Sequence, residues 1–428
     1  MKGLITALLA VACAALSGAA QSVTIDECVR LAEENYPAIK KYELLHVTTD
    51  IELADISKSW LPRIGVYGQG TVQNVVPSFP EALTGVLDMM GQSLKGLGKA
   101  QYKAGVDVTQ TLWDGGTAGA RRDVARSQEA VRRSALDVEL YAVRQRVESV
   151  FFAILLTERQ TERNEVTHNL LTRNLERLRA MFRNGVAMQS DVDMVEAQML
   201  AVAQSIAQGR SAAKGYRKAL ELFIGESLEG KTLECPQAEM PAGRTAARPE
   251  LRLFDSRAAA AEAALRLSDT SLMPRVGLFA QAYYGYPGFD YFKSMMTRDL
   301  SFNVMAGVKV SWNIDSFYTR RNNLRRTTAD LLDIAADRET FMFNTELQAA
   351  SQSESIDGLR EVISDDARII ALRENVRLAA ESQLENGIID ATALLTKISD
   401  ENVARLNGCL HEIQLIKEIY DLKYTLNQ

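Results

Sequence analysis

Between Ala104 and Asp123 the hydrophobic period of the chain changes. Val106, Val108 and Leu112 fall on one side of an alternating pattern, and Asp107, Thr109 and Thr111 on the other. That is the period of a strand with two unlike faces. The alternation ends at Trp113-Asp114-Gly115-Gly116, where Asp114 suits a helix cap and the glycines a sharp bend. Beyond it the period is 3.5: Val124, Val131 and Val138 are seven apart, and Val143, Val147, Val150 and Ile154 follow at +4, +3 and +4. No proline occurs between Pro80 and Pro236. The pattern predicts a strand at 101–113 feeding a helix over about 115–183. At ~1.5 Å per residue that helix is about 100 Å long, more than the diameter of an ordinary domain.

The same signals occur twice. Ala306-Gly307-Val308-Lys309-Val310 repeats Ala104-Gly105-Val106-Asp107-Val108 at an offset of 202, which also separates Asn184-Gly185-Val186 from Asn386-Gly387-Ile388. Leu61-Pro62-Arg63 and Met273-Pro274-Arg275 are 212 apart, as are Pro37 and Pro249. The difference of ten is one longer loop in the first copy. We read two tandem repeats of helix–strand–loop–strand–long helix–helix, 21–225 and 249–428, joined by a linker at 226–248 with Pro236 and Pro241. The other strands are expected at 63–73, 275–286 and 300–314.

Helix details follow from the same periods. Thr24 and Glu27 have capping-box spacing, and Pro37 begins a second helix. Leu83, Val86, Leu87, Met90 and Leu94 predict a short amphipathic helix within the loop 74–100, whereas the loop around Pro287-Gly288 reads as short. Ser190 is expected to cap a helix with its seam at Val192, Val195, Met199, Val202 and Ile206. The second long helix, about Phe317 to Glu385, has Ile369, Leu372, Val376 and Ala379 in seam positions.

Residues 1–20 read as a signal peptide, with Lys2, an apolar run from Leu4 to Leu16 and a small-residue site at Gly18-Ala19-Ala20. The alternative is a lipoprotein cut before Cys13, although Ala10-Val11-Ala12 lacks the usual leucine. Cys28, Cys235 and Cys409 then remain, an odd number that argues against a disulfide framework and for buried small apolar residues. His46, His168 and His411 have no ligand spacing, so neither a metal nor a cofactor is expected. No nucleophile motif or phosphate loop is present, and an enzyme is not expected. A net charge of −6 gives no basic footprint for nucleic acid.

Strands of ten to fourteen residues are long enough to cross an outer membrane, where ~9–11 tilted residues suffice. A spanning sheet must close, and single-chain barrels start at about eight strands. Four strands therefore imply a barrel shared between copies. The charged long helices must project from the membrane, packed along heptad seams.

The duplicated Leu/Met-Pro-Arg strands, the strand ending in Leu112-Trp113-Asp114-Gly115-Gly116 and the paired Asn-Gly-Val/Ile hairpins resemble the TolC family of outer-membrane efflux proteins. The resemblance covers about residues 24–426. It implies a mainly α chain with a β-barrel part, assembled as a homotrimer with a twelve-stranded outer-membrane barrel and a periplasmic helical barrel. It implies docking on a periplasmic adaptor, or membrane fusion protein, and through it on an inner-membrane pump. Efflux of small molecules is the expected task, with type I protein secretion as the alternative. A secreted or periplasmic coiled-coil scaffold without a pore explains the heptads but not the strand pairs.

Three sets of residues are singled out. The hairpins Asn184-Gly185-Val186 and Asn386-Gly387-Ile388 occupy equivalent places, so three chains present six similar tips for the adaptor; the plain alternative is that the glycines only end helices. In the family an acidic residue near the tip helps close the periplasmic aperture, which points to Asp191, six residues after Gly185; a first-turn acid favoured by the helix dipole is the other reading. The second copy departs, with Ala393 and Thr396 there and Asp390 as the acid near the turn. Trp60, Trp113 and Trp312 all fall at strand–helix junctions, as a membrane-interface belt or as core packing at a bend.

Overall fold

The computed structural model describes residues 22–89, 91, 96–237, 239–241, 243 and 247–428. The expected signal peptide, with Cys13, lies outside them, as do Met90 and Leu94.

Thr24 Oγ1 accepts the Glu27 amide at 3.3 Å and starts α1 (Ile25–Asn35). Tyr36 is extended, as a residue before proline must be, and Pro37 opens the turn into α2 (Lys40–Ser57). β1 is the pair Ser22–Val23; β2 (Arg63–Val72), α3 (Glu81–Met89) and β3 (Ala100–Trp113) follow. Asp114 then caps α4 (Thr117–Arg183), accepting from Gly116 at 2.9 Å and Ala118 at 2.6 Å. α5 (Gln189–Ile224) returns, and β4 (Thr232–Leu233) lies in the linker. The second copy gives α6 (Pro249–Asp269), β5 (Arg275–Tyr286), α7 (Tyr291–Thr297), β6 (Ser301–Ser311), α8 (Ser316–Glu385) and α9 (Ala391–Leu426).

These elements group into two compact units that cut across the repeats. The helical unit holds residues up to 42, 133–253 and 336–428. One core joins Ile25 and Cys28 of α1 to Val143, Val147, Phe151 and Ile154 of α4, Leu220 and Ile224 of α5, and Ile413 and Tyr420 of α9. A second core joins Leu171, Leu175 and Leu178 to Val192, Val195, Val202 and Ile206, with Ala380, Leu384, Leu394 and Ile398 from the second copy. Each such aliphatic side chain contributes roughly 1.5–3 kcal/mol when buried. β1 pairs in parallel with β4, Ser22 opposite Thr232, a tie across the linker that two-residue strands do not announce in sequence.

Several expectations change here. Ile369, Leu372 and Val376 are 46%, 56% and 45% exposed, whereas Ala380 and Leu384 face the core. A 3.5-residue period fits either side of a helix, and the predicted seam is the side with no partner among the described residues. Ser190 lies inside α5; Met188 is the cap residue. The loop after Pro287 contains α7, capped by Asp290, whose carboxylate accepts the Lys293 amide at 2.9 Å. Of the cysteines, Cys28 is buried, Cys409 half-buried and Cys235 exposed, because Cys235 lies in the linker.

The other unit, residues 43–132 and 254–335, contains one antiparallel sheet in the order β2-β3-β5-β6. The repeated Ala-Gly-Val motif acquires a reason in it. Gly105 pairs with Tyr283, and a Cβ there would come within 2.7 Å of the Tyr283 Cβ. Gly307 pairs with Phe279, and its Cβ would meet that ring at 2.9 Å. Gly105 thus lets the β5 backbone approach closely, and Gly307 leaves room for the Phe279 ring to lie across it.

Candidate functional site

The register sorts every strand position onto one of two faces. Ile64 pairs with Val108, Val66 with Val106, Val106 with Ala282, and Ala282 with Val304. This face carries Val, Ile, Leu, Ala, Gly and aromatic residues, with Gln110 its one polar side chain. It is also the bare face: Val66 is 83% exposed and Ile64 71%. The opposite face holds Arg63, Gln69, Lys103, Asp107, Gln281 and Lys309 among others. An apolar face left open beside a polar one is the inverse of a water-soluble sheet and suits lipid outside and water inside.

The three tryptophans lie at one end of this face. Trp113 is placed there by a β-bulge: Thr111 pairs with Gly277 but Trp113 with Val276, so the extra residue swings Trp113 onto the apolar side. Trp312 follows Ser311, the partner of Arg275, and its Nε1 donates to the Leu272 carbonyl at 2.9 Å. Trp60 precedes β2, and its carbonyl accepts from Gln110 Nε2 at 3.5 Å. All three are at least partly exposed. At the other end of the same face are Tyr102, Tyr284 and Phe302, also exposed. The alternation in β3, β5 and β6 contains this second girdle, but without the register it looks like scattered aromatics. From Tyr102 to Trp113 is eleven positions. At ~3.3 Å each and a tilt of about 40°, the band is ~28 Å tall, close to the ~25 Å of outer-membrane barrels.

The helical unit brings both hairpins into one core. Each turn is a paired-bond helix stop. Gly185 N donates to Phe182 O at 2.9 Å and Val186 N to Met181 O at 2.9 Å; Gly387 N donates to Leu384 O at 3.0 Å and Ile388 N to Gln383 O at 2.9 Å. Gly185 and Gly387 have φ of 74° and 68°, which L side chains adopt only with strain. Asn184 and Asn386 end the preceding helical turns through their amides, and Val186 and Ile388 are 67% and 70% exposed. Asp191 accepts the Met188 amide at 3.0 Å, and Asp390 accepts the Ala393 amide at 2.8 Å. Each acid thus caps its returning helix, from the third helical position in one copy and from the cap position in the other.

Near the second tip is a charged cluster that sequence spacing did not reveal, because its members are on two helices. Arg377 of α8 and Glu401 of α9 are both buried and hydrogen-bonded to each other. Arg377 also meets Glu381 at 2.9 Å, and Arg405 meets Glu401 at 2.7 Å and Glu374 at 2.9 Å. Among the described residues no three His, Cys, Asp or Glu side chains converge as a metal site.

Residues 29–226 match the family model of outer membrane efflux proteins. No curated protein sequence matches the chain. Among solved structures, the outer membrane protein VceC of Vibrio cholerae aligns at 13% identity and a TM-score of 0.66, over 94% of each chain. The CmeC outer membrane channel of Campylobacter jejuni aligns at 11% identity and 0.66, over 94% of this chain and 85% of that one. The open state of the Neisseria gonorrhoeae MtrE outer membrane channel aligns at 13% and 0.63, over 94% and 88%. Residues 29–226 thus match the outer membrane efflux proteins, and the duplicated fold, with its bare apolar sheet face, is that of solved outer-membrane channels.

Proposed function

We propose that three copies of this chain close one membrane barrel of twelve strands and form the exit duct of a tripartite pump that expels small molecules. A periplasmic adaptor binds the duct and links it to an inner-membrane pump. The observation that carries this reading is a lipid-facing sheet with two unpaired edges, β2 and β6. Unpaired backbone amides and carbonyls cost several kcal/mol each in hydrocarbon, so the edges require another copy. The bare seam of Ile369, Leu372 and Val376 on α8 needs a partner too, and a neighbouring copy supplies it. The tips Asn184-Gly185-Val186 and Asn386-Gly387-Ile388 are assigned to the adaptor. The periplasmic gate is assigned to the same end, with Asp191 and Asp390 the acids nearest the turns. Mass measurement of the detergent-extracted protein and bilayer recording test the reading. A trimer that conducts is expected; a monodisperse monomer without conductance would overturn it.

A further inference from the structure

The polar face of the sheet is not balanced in charge. Its strands carry Arg63, Lys103, Arg275 and Lys309 but one acid, Asp107. The apolar face carries no charged residue at all. Three of the cations gather at the tryptophan end. Arg63 is in register with Thr109, Lys309 with Gly277 and so with Thr111, and Arg275 precedes Val276, the partner of Trp113. They occupy roughly five rungs, or ~15 Å along the strand. No ion pair engages Arg63, Arg275 or Lys309 among the described residues, and all three are exposed. Lys103, near the far end, lies 5.9 Å from the Tyr67 ring centre and 5.4 Å from that of Tyr283, contacts that hold the cation without neutralising it.

We infer that this barrel selects anions, and that its cargo is anionic: small solutes bearing carboxylate, sulfonate or phosphate groups. The inference rests on the duct reading above, since only closure turns the polar face into a lumen. Three copies then place nine unpaired cations, three times three, around the periplasmic mouth. Charges of one sign on a narrow, low-dielectric wall focus the field and concentrate counter-ions there. Asp107 is closest to Arg63, two rungs away, and offsets only part of the collar.

The test is reversal-potential recording on the purified protein in planar bilayers. Under a tenfold KCl gradient, chloride is expected to permeate more readily than potassium. The preference should shrink as salt rises from 0.1 M to 1 M, because the screening length falls from ~10 Å to ~3 Å. With benzenesulfonate and choline as the bi-ionic pair, benzenesulfonate is expected to dominate. The variant R63Q/R275Q/K309Q should bring the chloride-to-potassium ratio to about one, and K309E should lower it further than K309Q, with trimer mass confirming assembly. Inserted protein with no conductance sinks the duct reading and this inference with it. Conductance that favours potassium or choline leaves the duct standing and overturns the charge assignment. Anion preference unchanged in the triple variant overturns the collar as its source.

Discussion

Glu148 sits in the main helical core, where α1, α4, α5 and α9 meet, and is 2% exposed. Its Oε1 accepts from Arg144 Nε at 2.9 Å, while its Oε2 has no partner. Burial pushes its pKa up from 4.5 to about 7; the Arg144 bond and charge oppose this, and Asp421 and Asp26 add to it. The folded chain therefore holds this proton to higher pH than the unfolded chain. Ionisation of Glu148 costs stability above about pH 7, and the cost vanishes below about pH 4.5. Glu148→Gln keeps the shape and an acceptor for Arg144. It is expected to raise stability by on the order of 2–3 kcal/mol at pH 8 and to be neutral at pH 4.5. Thermal scans in detergent at the two pH values check this; an equal shift at both would show that the charge is not the cause. The cysteines separate equally clearly. Burial pushes the Cys28 thiol up to about 11, whereas Cys235 is exposed in the linker. In the folded protein at pH 8, a maleimide should label Cys235 and leave Cys28 untouched until denaturation.

At the scale of elements, the buried charges of α8 and α9 make a sharp forecast. Arg377 reaches Glu401 and Glu381, and Glu401 in turn reaches Arg405. Arg377→Met leaves Glu401 buried with one partner fewer. Removal of one partner from a buried pair costs about 3–5 kcal/mol, more than the pair is worth against an apolar replacement of both. Chemical denaturation of R377M and of R377M/E401L should show the double variant recovering much of the loss. The tryptophan belt is an element-level claim as well. Replacing Trp60, Trp113 and Trp312 by alanine should lower outer-membrane yield while leaving helix content unchanged by circular dichroism. Most of these elements were legible in sequence. The strand–helix junctions, both hairpins and the seam of α5 depend on local periodicity and caps, and the structure has them at the expected places. What depends on pairing was not legible. The bulge that turns Trp113, the second girdle at Tyr102, Tyr284 and Phe302, and the Arg377 cluster all require knowing which residue lies opposite. The α8 stripe was legible as a heptad stripe, but its exposure was not, since period alone does not say whether a stripe is covered.

On the proposed assembly, two exposed helical surfaces have different tasks, and they separate in a single set of variants. The α8 stripe, Ile369, Leu372 and Val376, is remote in role from the tips, Val186 and Ile388, yet both are apolar and exposed. If the stripe joins copies, charge there must break the trimer. I369E/V376E is expected to yield monomers in detergent and to lose conductance. If the tips receive the adaptor, charge there must spare the trimer. Val186 and Ile388 donate their backbone amides to Met181 and Gln383, bonds that do not depend on the side chain, and the glycines carry the strained φ. V186D/I388D should therefore fold, trimerise and reach the membrane. Three copies with two tips each present six altered contacts, so a modest loss per contact multiplies through avidity. Adaptor capture and export should both fall by at least tenfold, while conductance of the isolated trimer stays at the wild-type level. Export at wild-type levels, with the adaptor still co-purifying, would remove the tips as the docking surface and leave Gly185 and Gly387 as helix stops alone.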